Sequence, residues 1–128
     1  MCGLVGIFDT RGERPIDRDL LDRMNERQHH RGPDEGGLHL EPGLGLGHRR
    51  LSIIDLASGQ QPMHSADGKL VLVYNGEIYN FAELAQELRA LGHSFRTHCD
   101  TEVVLYAYAA WGEACVNRFR GMFAFALW

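Results

Sequence analysis

The 128-residue sequence lacks any apolar run near the roughly 20 residues that a membrane-spanning helix needs, so no membrane partner is expected. Its opening, Met1-Cys2-Gly3, has neither a basic segment nor a signal-length apolar stretch, and a cytoplasmic location is expected. Cysteine is scarce. Cys2, Cys99 and Cys115 are odd in number and widely spaced, which argues against both a disulfide framework and a paired-cysteine zinc site. The seven histidines show no H-E-x-x-H spacing, so no metal is expected. Positive charge is also short: thirteen Lys and Arg against seventeen Asp and Glu give a net charge of −4. The basic residues are dispersed, and no nucleic-acid partner is expected. A phosphate-binding glycine loop is missing, so ATP binding by this chain alone is not expected. There is no internal repeat, linker or low-complexity tract.

What remains is the composition of one soluble globular domain, 45% hydrophobic and 23% charged. Its most informative residue is Cys2. Removal of Met1 would give it a thiol and a free α-amine on one residue. A thiol with a free pKa of about 8.5 is weakly nucleophilic at neutral pH, and an amine with a pKa of about 8 can accept its proton directly or through one water. The same cysteine can also be incidental, because small residues are common at position 2.

Residues 3–8 are apolar and β-rich, and they read as a buried strand that would hold such a terminus in place. After Pro15, Ile16, Leu20, Leu21 and Met24 recur at helical spacing behind a capping Asp17, and the helix ends before Arg31-Gly32-Pro33. Residues 34–47 suggest a hairpin turning at Pro42-Gly43, followed by a mixed segment over 48–55 and a loop over 57–68. Leu70 to Tyr74 is a central strand. Asn75-Gly76 then reads as a tight hairpin tip, with Glu77-Ile78-Tyr79 returning. Asn80 and Glu83 have capping-box spacing ahead of a helix with Phe81, Leu84, Leu88 and Leu91 on one face. A short strand is expected around Phe95, a helix capped by Asp100 after it, and a further short helix beyond Gly112. The last run, Met122 to Trp128, reads as a strand whose apolar surface and free edge would be left bare, which suggests a chain cut short of its domain boundary.

Five words in the sequence carry a family resemblance: Met1-Cys2-Gly3, His30-Arg31-Gly32-Pro33-Asp34, His48-Arg49-Arg50-Leu51-Ser52-Ile53-Ile54-Asp55, Asn75-Gly76-Glu77-Ile78-Tyr79-Asn80 and Asp100-Thr101-Glu102. In this order they resemble the glutaminase domain of asparagine synthetases and related class II glutamine amidotransferases, over essentially the whole chain. The second half of the third word and the fourth word point to the asparagine synthetase branch.

The resemblance implies an α+β fold of the N-terminal nucleophile hydrolase type, a four-layer αββα sandwich of antiparallel sheets. It implies hydrolysis of glutamine to glutamate and ammonia through a Cys2 thioester. The Asn75 side-chain amide and the Gly76 backbone N–H would hold the oxyanion. Arg50 would bind the substrate carboxylate and Asp100 its ammonium, with Leu51, Ser52, Ile53, Ile54 and Glu77 lining the site; Arg49 is expected to face elsewhere. By itself Asp100 reads equally as a helix cap, and residues 31–34 read as a turn more readily than as catalytic groups. Cys99 replaces the serine common in the family, and Cys115 reads as a packing residue. The family also implies a C-terminal synthetase domain that uses ATP and Mg and is absent here, and a possible homodimer. The competing reading is a glutamine-binding or assembly module without turnover, as retention of Met1 would give.

Overall fold

The computed structural model describes residues 1–52 and 59–128. In chain order the elements are β1 (Gly3–Phe8), α1 (Arg18–Glu26), β2 (Glu35–Glu41), β3 (Leu44–Arg50), β4 (Met63–His64), β5 (Val71–Ile78), α2 (Phe81–Ala90), α3 (Asp100–Trp111), a 3-10 segment (Gly112–Arg118) and β6 (Gly121–Leu127). They form two antiparallel three-stranded sheets, ordered β1-β3-β2 and β4-β5-β6.

Alternation along β3 explains the stacking, because successive side chains point to opposite faces. Leu44 and Leu46 face the second sheet and meet Val71 and Val73 of β5, flanked by Leu4 and Ala126. The intervening Gly45 lies beneath α1, where an added Cβ would stand 2.9 Å from side-chain atoms of Ile16 and Leu21. On β5 the residues between Val71 and Val73 and beyond point the other way: Leu72 and Ile78 pack with Leu84, Leu88, Val104 and Leu105 of α2 and α3. The layers are therefore α1, sheet, sheet, then α2 with α3, the αββα sandwich that the resemblance implies.

Helix α1 starts as expected, with Asp17 Oδ1 accepting the Leu20 N–H at 3.0 Å. It buries Leu21 and Asn25, whereas Leu20 is turned outward. None of the described helices is long and apolar enough to cross a membrane.

Four local expectations are corrected. Asn75-Gly76 is not a hairpin tip: β5 runs through it, with Asn75 opposite Ala124 and Gly76 opposite Phe123 of β6. Gly76 is there for close approach, since a Cβ would lie 2.4 Å from the Met122 carbonyl oxygen. Asn80 makes no capping bond to α2; its Nδ2 donates to the Arg118 carbonyl at 3.0 Å and its Oδ1 accepts the Arg120 N–H at 2.9 Å, tying down the approach to β6. Phe95 lies outside any strand and packs edge-on against Tyr106. Asp100 is the first residue of α3 and not its cap; Cys99 holds the cap position without a side-chain bond. In addition, β3 extends through Arg50, where the sequence suggested only a mixed segment.

His48 follows Leu44 and Leu46 on the inner face of β3 and is 1% exposed. Its Nε2–H donates to the Tyr74 carbonyl at 2.9 Å, a bond between the two sheets. A carbonyl only accepts, so the proton sits on Nε2, and Nδ1 has no partner among the described residues. Burial lowers the imidazole pKa from 6.5 to about 4; the Tyr74 bond opposes the fall and the nearby Arg50 charge adds to it. The unfolded chain therefore takes up a proton below about pH 6.5 that the folded protein refuses until about pH 4. Stability should fall as pH drops through that window, by roughly 3 kcal/mol from this residue. Urea unfolding at pH 7, 5.5 and 4.5 checks this, and the pH dependence should be shallower in His48→Gln.

Candidate active site

The β1–β3 register sets Gly3 opposite Arg49, so Cys2, one residue upstream, comes beside Arg50. The half-buried Cys2 is held at several atoms. The Leu51 N–H points at Sγ from 3.4 Å, and the thiol lies 3.8 Å from the Leu51 carbonyl. Arg31 Nε donates to the Cys2 carbonyl at 3.1 Å. Chain ends usually fray unless tied in this way.

A cleft of about 420 Å³ opens next to Cys2. The first sheet contributes Cys2, Arg50 and Leu51; β5 contributes Tyr74, Asn75, Gly76 and Glu77; α3 contributes Asp100 and Thr101. Seven residues expected at the site thus converge: Cys2, Arg50, Leu51, Asn75, Gly76, Glu77 and Asp100. Ser52 is not among the described lining residues, and its N–H donates to Asp34 Oδ2 at 2.8 Å. Ile53 and Ile54 lie outside the described residues.

The cleft forms where β4, only two residues long, stops covering the edge of β5. On that edge the Tyr74 N–H donates to Gln61 Oε1 at 2.6 Å and the Ile78 N–H to Asp100 Oδ2 at 3.0 Å. Ladder alternation assigns the Gly76 N–H, between them, to the same edge and not to β6. The Tyr74 hydroxyl donates to Asp100 Oδ2 at 2.7 Å. Burial, the Asp100 bond and its charge push the Tyr74 pKa far above the ordinary tyrosine range, so the hydroxyl stays a donor.

Arg50 is 5% exposed, and its Nη1 donates to Glu35 Oε2 at 3.0 Å. Arg49 turns to the opposite face, where Nη1 meets Glu26 Oε1 and Nε meets the Gly32 carbonyl, each at 2.9 Å. Residues 31–34 act as a clasp around this strand end. Arg31 holds Cys2, the Asp34 N–H donates to the Arg50 carbonyl at 3.0 Å, and Asp34 receives Ser52. A Cβ on Gly32 would come within 2.3 Å of the Arg49 carbonyl, so only glycine lets the clasp close.

Comparison with known proteins gives this geometry a family. The model of the glutamine amidotransferase domain matches residues 1–128, the whole chain. This chain belongs to the glutamine amidotransferase domain family. Asparagine synthetase [glutamine-hydrolyzing] 1 of Bacillus subtilis is 43% identical over 130 residues, covering 100% of this chain and 21% of that protein. Asparagine synthetase [glutamine-hydrolyzing] 2 of Oryza sativa is 39% identical over 127 residues, covering 99% and 21%. The chain therefore spans about a fifth of the length of these relatives. Among solved structures, the glutamine phosphoribosylpyrophosphate amidotransferase of B. subtilis superposes with a TM-score of 0.56 at 21% identity, over 98% of this chain and 29% of that one. That likeness bears on the fold alone, the αββα sandwich.

In this amidotransferase domain the start of α3 is fixed by a buried carboxylate that sequence reasoning left without a role. Glu102, 0% exposed, accepts the Arg96 N–H at 3.0 Å, the Thr97 N–H at 2.7 Å and the Thr97 hydroxyl at 2.6 Å. The loop leading to Asp100 is thereby tied to its own helix. Cys99 Sγ lies 3.0 Å from Thr97 Oγ1 in the same knot and lines the cleft, whereas Cys115 is buried in the core. Tyr74, Gln61, Glu35 and Thr101 were given no role in the sequence, although Thr101 lies inside the word Asp100-Thr101-Glu102 and Tyr74 stands next to Asn75-Gly76. Glu102→Gln would turn an NH₂ group toward this cluster of donors and should cost about 2–3 kcal/mol of stability, measurable by urea unfolding.

Proposed function

We propose that the domain hydrolyses L-glutamine to glutamate and ammonia, and that the ammonia feeds an ATP-dependent amide-forming domain of the asparagine synthetase type. The observation that carries this reading is the convergence of Cys2, Arg50, Asn75, Gly76 and Asp100 on one cleft. It accords with the names of the relatives, glutamine-hydrolysing asparagine synthetases.

The chemistry follows from these groups. After Met1 is removed, the free α-amine of Cys2 takes the thiol proton and Sγ attacks the side-chain amide carbon. The Asn75 amide and the Gly76 N–H donate to the developing oxyanion. On collapse the C–N bond breaks, the proton passes to the leaving nitrogen, and ammonia departs from a thioester. Water then adds to the thioester carbon through a second oxyanion; the C–S bond breaks, glutamate leaves, and the proton returns to sulfur. Arg50 supplies a donor fork for the substrate carboxylate, with Glu35 bracing it, and Asp100 an acceptor for its ammonium. ATP and Mg belong to the amide-forming domain, and no group of this chain is assigned to them.

Met1, 72% exposed, still lines the cleft. While attached, it ties up the amine that the first proton transfer needs. The initial test is intact mass before and after 6-diazo-5-oxo-norleucine, an electrophilic glutamine analogue. The expected result is loss of Met1 and one adduct on Cys2, prevented by glutamine; retained Met1 or no adduct would favour a non-catalytic glutamine-binding module. Asn75→Ala should lower kcat on the order of 10²–10³-fold. Arg50→Lys, which loses the planar fork, should raise KM for glutamine about tenfold in a steady-state ammonia assay.

A further inference from the structure

Tyr74 is held at three points. Its N–H donates to Gln61 Oε1 at 2.6 Å, its carbonyl accepts from His48 Nε2 at 2.9 Å, and its hydroxyl donates to Asp100 Oδ2 at 2.7 Å. At 3% exposure the ring has no room to swing aside. The same Oδ2 also accepts the Ile78 N–H at 3.0 Å. Two donors on one oxygen fix the plane of the carboxylate. Oδ1, which accepts no hydrogen bond from any described residue, is left for whatever occupies the cleft that Asp100 lines.

We infer that the Tyr74 hydroxyl is a positioning group that presents Asp100 to the substrate ammonium and so selects α-amino amides over amides lacking the amine. This rests on the role of Asp100 proposed above. Tyr74 touches no reacting atom in this scheme. Without the hydroxyl, Oδ2 would keep a single donor, and the carboxylate would gain freedom to rotate away from the ammonium. A neutral donor suits the task, because it orients the carboxylate without cancelling its charge. The backbone bonds to Gln61 and His48 keep the ring in place, and they fix the same residue that leads into Asn75 and Gly76.

The test compares L-glutamine with glutaramate, the same amide without the α-amine, in the intact, Met1-processed protein and its Tyr74→Phe and Asp100→Asn variants. KM and kcat are read for glutamine and Ki for glutaramate as a competitor. Tyr74→Phe should raise KM for glutamine about tenfold, hold kcat within about threefold, and leave the glutaramate Ki unchanged. Asp100→Asn should erase the preference for glutamine altogether. If Asp100→Asn erases it and Tyr74→Phe keeps it, the positioning role is overturned and the reading of Asp100 stands. If neither variant changes the preference, both fall. An equal loss on the two ligands would mark a purely structural tyrosine and overturn the inference as well. Tyr74→Met, which fills the space with a flexible apolar chain, repeats the comparison should the phenylalanine variant fail to fold.

Discussion

Gly3 pairs with Arg49 and Leu4 with His48, and that ladder between β1 and β3 governs the rest of the cleft. Side chains alternate across a strand with a period of two, so a slip of one residue would turn Cys2 toward α1 and carry it away from Arg50. The glycines of β3 guard against such a slip. Gly45 and Gly47 occupy the face that α1 covers, and a larger residue moved into either place would strike Ile16, Leu21 or Val5. Packing of one helix on one strand thus fixes which way the Cys2 thiol points.

The inner face of β3 passes from oil to charge within one strand. Leu44 and Leu46 join the apolar layer between the sheets, His48 spans the gap with a single neutral donor, and Arg50 reaches the cleft. The order is physically economical. Leucines drive the sheets together by removing apolar surface from water, and polar side chains appear only where the layer opens. A buried imidazole is the junction between the two regimes. It is tolerable because Nε2 is bonded and the ring stays neutral over the ordinary pH range.

The long-periodic parts of the fold were legible from residues alone: β1, α1 with its Asp17 cap, the turn at Pro42-Gly43, the glycine end of α3, and β6. The site's composition was legible only through the five-word resemblance, since no single word carries it. The misreadings share a cause. Asn75-Gly76 has the local chemistry of a turn, but β6, more than forty residues later, supplies a full ladder and a close approach that local propensity cannot announce. Asn80 and Asp100 were both read as caps, and each spends its side chain on a partner far along the chain instead. Gln61 and Glu35 gave no signal at all, because a lone amide and a lone carboxylate in polar stretches look like any solvated side chain.

Met1 projects from the strand that begins at Gly3, and on the proposed mechanism the base behind it has no codon of its own. On that mechanism it is a main-chain nitrogen, freed only when a peptidase takes off Met1. If the proposed mechanism holds, an alanine scan of the 128 positions would reach the side chains of Cys2, Asn75 and Asp100 and would pass over the proton acceptor. Heredity can act on that group only indirectly, through whatever lets another enzyme take off the first residue. On the same reading, a fusion partner joined at this end would silence the chemistry even where the fold is kept.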